Sequence, residues 1–427
     1  MLQNKQLNSR ALLCCRIDNI EQQHMWQRLK ETGCSLIFCC LVTSFIVFAF
    51  GESAQADFKE WALLSQAERN NTKCVDLTGL NGKLPLSVSD SKQILWRSEK
   101  WEFSTWTENA ENSLGFPSVV KNIYGADADN KYYLFYAHHD PNSGIGCAIA
   151  DRIDGPYIKI ADLDKKRKNS QVLQPLSLLQ KGKQLLRKLP YHYSSPCVVW
   201  DGDKQLWVMF FHYYKNEFKQ GKGHQKTGVA TCADLKNNKW TIKRDEKGNI
   251  VPIFPTTSKR WMNSQSSYHA IQKLPDGTWL AFLRGTGGEY DKTGKWLQDT
   301  TKLGFAVSSD SLNNWKYVSG NPIVTQANTG GERKGVLRPS FIGYLGGSKF
   351  FVAWAESKYY DSDPRIIYNV TTDFKEFKRD DRGYAQWLPA DGLVSPWREN
   401  GTLYLFTGKY IYSFVLPLDA GAVVDKK

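Results

Sequence analysis

The sequence predicts an all-β fold, a five-bladed β-propeller with a short N-terminal extension, and three observations predict it. A strand opening recurs five times, at Phe116-Pro117-Ser118-Val119-Val120, Ser195-Pro196-Cys197-Val198-Val199, Tyr268-His269-Ala270-Ile271, Arg338-Pro339-Ser340-Phe341-Ile342 and Ser395-Pro396-Trp397. Each opening is answered by an aromatic-rich second strand: Tyr132–Tyr136, Leu206–Phe210, Thr278–Phe282, Phe350–Trp354 and Leu403–Phe406. The copies start at intervals of roughly 60 to 80 residues, too long for a short solenoid repeat and suited to a four-stranded blade with its loops.

Residues 1–56 are expected to be a signal peptide outside the fold, with Met25 as an alternative start. Cys34 to Phe50 is a run of 17 residues without a charge; it follows Arg28 and Lys30 and leads into Ala54-Gln55-Ala56, a small-residue cleavage signature. The run also reaches the lower length limit of a spanning helix, so an uncleaved anchor is the alternative. Cleavage implies a secreted or periplasmic protein with no stable membrane association. Losing this segment takes one net positive charge from the +13 of the whole chain and leaves +12. A basic exported protein could meet nucleic acid, a membrane surface or an acidic polymer. No nucleic-acid motif is present, so nucleic acid is not expected. An acidic polysaccharide fits both charge and address; a solvated basic surface without a specific partner fits as well.

Residues 57–111 read as the extension. Phe58 to Arg69 has helical periodicity, and Trp96, Trp101 and Trp106 offer aromatics to cover a blade or latch the ring. Residues 112–416 form the propeller, with Asp201-Gly202, Asp276-Gly277 and Asn400-Gly401 turning first strands into second strands. Third strands end in Asp151, Asp234, Asp310 and Asp373, followed by Tyr157, Trp240, Trp315 and Phe377. The carboxylate is expected to cap the turn while the aromatic packs over the blade. Lys165 to Lys188 is a basic insertion, a solvated loop or a contact for an anionic substrate. Residues 417–427 are a C-terminal tail. Cys74, Cys147, Cys197 and Cys232 remain after cleavage, and the apolar strands around the last three favour small buried thiols.

The innermost strands line the axis of a propeller, so their polar residues face its pocket. Here they carry Ser118, His192, Ser194, Ser195, Tyr268, His269, Arg338, Ser340 and Ser395, while second-strand ends add His138, His139, Asp140, His212, Arg284 and Glu356. Five of the six histidines beyond residue 56 fall at these places. One strand-end histidine is ordinarily structural; five converging on an axis point to acid–base work.

Tyr132 to His139 with Ala150 to Tyr157, and His192 to Pro196 with Met209 to His212, resemble the first two blades of the five-bladed glycoside hydrolases. The resemblance is closest to an uncharacterised bacterial branch related to glycoside hydrolase family 43, and it runs from about residue 112 to 416. It implies an Asp base, an orienting Asp and a Glu acid from successive blades. This chain departs from that pattern: Phe116 stands where the first-blade Asp precedes Pro, and Ser195 precedes Pro196 in the second.

The carboxylates left near the expected axis are Asp140 and Glu356, with Glu289 and Asp361 on adjacent loops. Glu356 ends an apolar strand, where desolvation would suit a general acid, although pairing with Arg284 or Arg338 is the plainer role. Asp140 beside His138 and His139 would serve as base or orient an imidazole. The catalytic candidates are therefore Glu356, Asp140, His139, His212 and His269. The substrate-binding candidates are His138, His192, Ser194, Ser195, Tyr268, Arg284 and Arg338. Three functions stay open: a hydrolase of a polysaccharide or oligosaccharide, a polysaccharide lyase using His and Tyr, and a carbohydrate-binding propeller without catalysis. No cofactor is required and no zinc spacing is present; a structural cation on the axis, held by water and imidazole, is compatible with the sequence. Asn70, Asn369 and Asn400 lie in glycosylation sequons.

Overall fold

The computed structural model describes residues 61–78, 80, 89–103, 114–138, 143–175, 190–215, 225–254, 261–262, 265–290, 296–325, 337–356, 365–375, 377, 383–385 and 393–416. The expected signal peptide, the tail, Trp106 and most of the basic insertion lie outside them. The chain divides into a unit of residues 1–62, of which only Trp61 and Ala62 are described, and a compact unit of residues 63–427. The second unit is nearly all β.

After helix α1 (Gln66–Asn71) and strands β1 (Val75–Asp76) and β2 (Asp90–Gln93), the chain runs through antiparallel meanders. The first is β3 (Gly115–Lys121), β4 (Tyr132–Ala137), β5 (Ile145–Ala150) and β6 (Ile158–Lys159), with β7 (Gln171–Leu173) also paired to β5. The second is β8 (Pro190–Asp201), β9 (Leu206–Lys215), β10 (Gln225–Cys232) and β11 (Thr241–Ile242). The third is β12 (Gln265–Lys273), β13 (Trp279–Tyr290), β14 (Trp296–Ser308) and β15 (Lys316–Tyr317). The fourth is β16 (Leu337–Gly346), β17 (Lys349–Glu356), β18 (Arg365–Thr371) and β19 (Gly383–Ala385). The fifth is β20 (Ser395–Glu399), β21 (Thr402–Thr407) and β22 (Tyr410–Val415), completed by β2 from the other end of the chain through Asp90↔Ser413.

Each middle strand buries both faces, which is why its sequence is almost continuously apolar. Alternation sends one set of side chains to each neighbour. On β9, Trp207, Met209 and Phe211 pack with the first meander, whereas Val208 and Phe210 pack with the third. On β17, Phe351 and Ala353 pack with the fifth, and Val352 and Trp354 with the third. Tyr132, Leu134 and Tyr136 of β4 meet Trp397 and Phe406 of the fifth. Among the described residues every meander thus shares an apolar layer with the one before and the one after it, and the last layer joins the fifth to the first.

The expected turn chemistry is present in three of the four copies, while the Asp151 carboxylate is exposed and pairs with Lys131 at 3.0 Å. Asp234, Asp310 and Asp373 accept backbone N–H bonds from Lys236, Leu312 and Lys375, and Trp240, Trp315 and Phe377 pack against Phe135, Phe210 and Trp354. The four cysteines beyond residue 56 are buried and unpaired. Asn70 and Asn369 are buried, and the Asn70 amide brackets the backbone of Arg398, so of the three sequons only Asn400 lies in an exposed turn.

The extension is stapled into the sheets. Ser65 and Glu68 form a capping box on α1, and the Asn71 side chain bonds both the N–H and the carbonyl of Lys121 in β3. Asp76 takes Arg69 at 2.5 Å and Arg398 at 3.4 Å. β1 lies parallel to β16 so closely that a Cβ on Gly343 would fall within 2.7 Å of Leu77 Cγ. Gly343→Ala is expected to lower unfolding stability by about 1–3 kcal/mol in urea titration, because Leu77 must leave its rotamer or β1 must shift. An unchanged midpoint would mean that β1 adds nothing to the sheet.

Candidate functional site

In four meanders the innermost strand carries a β-bulge, in the fourth between Pro339 and Phe341. In the first three the extra residue adopts a left-handed backbone: Phe116 at φ 54°, Ser195 at 51° and Tyr268 at 51°. Left-handed aromatic residues are uncommon and strained, and bulges re-aim side chains where function requires it. The residue before each of these three left-handed bulges pairs with a residue of the second strand: Gly115 with Ala137, Ser194 with His212 and Ser267 with Arg284. In the fourth meander the corresponding pair is Leu337 with Glu356. Ala137, His212, Arg284 and Glu356 are therefore equivalent positions, and all four are buried.

Tyr268 organises the cluster. The Arg284 guanidinium lies 3.9 Å from its ring centroid and that of Arg338 5.5 Å, while the His212 and Phe116 rings stand 4.8 and 5.8 Å away. The cation–π contacts fix two positive groups against one aromatic. Arg284 Nη2 also reaches Gln225 Oε1 and Ser267 Oγ, each at 3.4 Å, and the Ser267 hydroxyl bonds Gln225 at 3.0 Å. His212 and His192 face each other Nε2 to Nε2 at 2.9 Å, and His192 stacks on Tyr214. One imidazole must donate and the other accept, so the pair shares a proton and can pass it along. The Ser194 and Ser195 hydroxyls are buried with no hydrogen-bond partner among the described residues.

Seven of the expected residues thus gather here: His192, Ser194, Ser195, His212, Tyr268, Arg284 and Arg338. Glu356 occupies the equivalent strand end on the fourth meander. His138 does not join them. The register puts Ala137 at the inward position, and the His138 ring bonds the Trp101 carbonyl and packs on the Trp101 ring. His139, Asp140 and Asp361 lie outside the described residues, as does the side chain of Glu289. Gln225, Ser267 and Tyr214 were not expected; only their places at strand ends beside Ser266, Arg284 and Tyr213 mark them.

His269 lies behind the cluster, in a cavity between the innermost strands. Its Nδ1 is 3.3 Å from Thr227 Oγ1, and burial pushes its pKa from the ordinary 6.5 to about 4, slightly opposed by the Phe210 carbonyl. A depressed histidine stabilises the fold above its unfolded pKa, and the contribution fades as pH falls from 6.5 towards 4. The full loss corresponds to about 3 kcal/mol. His269→Gln is expected to flatten the decline in urea midpoint between pH 6.5 and 4; a parallel decline would place the acid sensitivity elsewhere.

No protein-family model matches the sequence, and no curated protein matches it. Solved structures do resemble the fold. They include a glycoside hydrolase at 13% identity, covering 74% of this chain and 90% of that one with a TM-score of 0.46. A glycosyl hydrolase from Bacteroides ovatus has 12% identity, 71% and 84% coverage and a TM-score of 0.45. A thermostable family-43 glycoside hydrolase has 17% identity, 68% and 73% coverage and a TM-score of 0.35.

Proposed function

We propose that this chain is an exported glycoside hydrolase on a five-bladed β-propeller, cleaving an anionic polysaccharide or oligosaccharide at the propeller axis. The observation that carries the reading is the convergence of an imidazole pair, two guanidinium groups and a tyrosine around the bulges of neighbouring innermost strands and the second-strand residues paired beside them. Arg284 and Arg338 hold the acidic group of the sugar. Glycosidic cleavage needs a proton on the leaving oxygen and attack from the opposite face. Glu356, at the strand end equivalent to His212 and Arg284, supplies the proton. His212, relayed through His192, activates water in place of the second carboxylate. The run from Cys34 to Phe50 and the Ala54-Gln55-Ala56 signature support export.

A lyase is the second reading, favoured by the 4.8 Å approach of Tyr268 and His212 beside Arg284. Elimination would use the imidazole to take the proton α to a carboxyl that the arginines neutralise. The purified protein should be incubated with acidic and neutral polysaccharides. New reducing ends without the ultraviolet absorbance of an unsaturated uronate are the expected result. That absorbance would replace the hydrolase with a lyase, and binding without either change would leave a non-catalytic module.

A further inference from the structure

The innermost strands of all five meanders surround a cavity of about 30 Å³ beneath the Tyr268 cluster. Its polar lining comes from Lys73, Ser118, Cys197, His269, Gln272, Ser340 and Ser395, and the Gln272 amide donates to the Leu280 carbonyl at 3.1 Å. Lys73 is delivered by the extension in a left-handed conformation (φ 66°), and its ammonium bonds the Val119 carbonyl and, at 3.3 Å, Ser395 Oγ. A third N–H is left over. Ser395 Oγ also accepts the Val119 N–H at 3.1 Å, and Ser118 Oγ accepts the Val198 N–H at 2.9 Å. Both hydroxyl oxygens are thus used as acceptors and their hydrogens remain to be donated. Ser340 is 3% exposed and its hydroxyl has no partner among the described residues. Among the described residues no carboxylate lines the space.

A buried ammonium and three hydroxyl hydrogens around one cavity form a set of donors that asks for negative charge. We propose that the cavity binds one small monovalent anion of the halide class, which bridges Lys73 to the serines of three innermost strands. The volume suits one halide or about two waters. An axial cation does not fit, because it would face the Lys73 ammonium and the hydroxyl hydrogens. The other titratable groups here add no negative charge: burial raises the Cys197 thiol and lowers His269 to about 4, so both stay neutral, and Lys73, held at about 8, stays charged at neutral pH. The anion would replace the solvation Lys73 loses and tie the extension to the axis.

Thermal unfolding of the whole protein, in sodium chloride or bromide against sodium gluconate at equal ionic strength, tests the site. Saturable halide stabilisation is expected. Ser340→Ala should weaken the half-saturating concentration roughly tenfold, and Lys73→Met should abolish the effect. Crystals grown in bromide should show an anomalous peak in the cavity. Halide-independent unfolding, or water alone in the cavity while bromide is ordered elsewhere, would overturn the proposal. Ser340→Ala and the bromide experiment decide it even if Lys73→Met does not fold.

Discussion

Lys159→Met is expected to destabilise the protein by about 3–5 kcal/mol. Glu102 is fully buried, and its carboxylate is held by Lys159 Nζ at 2.5 Å, the Tyr136 hydroxyl at 2.8 Å and the backbone N–H groups of Ser98 and Glu99 at 2.8 and 2.9 Å. Lys159 is itself 5% exposed and also donates to Ser98 Oγ. Removing the ammonium leaves a charge without its counterion in a dry site, where the three neutral donors do not replace it. The pair joins the extension to β4 and β6 of the first meander, so the loss should loosen residues 98–102 along with the global fold. Urea unfolding measures the cost, and hydrogen exchange at Ser98 and Glu99 locates it. Glu102→Gln added to Lys159→Met should recover a large part of the stability, since it removes the orphaned charge. A loss below 1 kcal/mol in the single variant would show that the pair contributes no more than a surface salt bridge.

That network explains why the extension was legible only in outline. Trp101 could be read as a latch because an aromatic cluster outside the repeats needs somewhere to pack. The carboxylate beside it could not, because a Glu in Lys100-Trp101-Glu102 looks solvated until Lys159 is brought to it from 57 residues away. The meanders were legible for the opposite reason. Two-sided burial makes every middle strand an apolar run, and an aspartate ends the third strand in four of the five copies.

Parity and bulges limited the site. His138 follows the last residue of β4, and adjacent strand residues face opposite ways, so one position separates it from the place equivalent to His212. Ser395-Pro396 looks like Ser195-Pro196, yet the fifth innermost strand has no bulge and pairs Ser395 with Phe406. That aligns Ser395 with Ser118, opposite Phe135, and puts Leu393 beside Phe116 and Tyr268. Nothing in Phe116 or Tyr268 announces a left-handed backbone, which these residues rarely adopt. Lys73 had no signal at all: a single lysine becomes an axial group only because α1 and β1 carry it between the strands.

The same geometry makes His212→Phe the sharpest test of the reaction. On whichever polysaccharide the native protein cleaves, kcat should fall by about 10²–10⁴-fold with KM little changed, the range expected when a positioned proton acceptor is lost. Phenylalanine keeps a ring against Tyr268 and cannot take part in the 2.9 Å contact with His192, so packing is largely preserved while proton transfer is not. The residual activity should also lose the limb of the pH profile that belongs to the imidazole pair, a change that a packing defect would not produce. Arg284→Lys should act differently. It retains the charge but gives up the planar contact with Tyr268 and the fork to Gln225 and Ser267, so it should raise KM for acidic substrates more than it lowers kcat. Native turnover and an unaltered pH profile in His212→Phe would remove the imidazole pair from the mechanism and leave Glu356 as the described group able to move the proton.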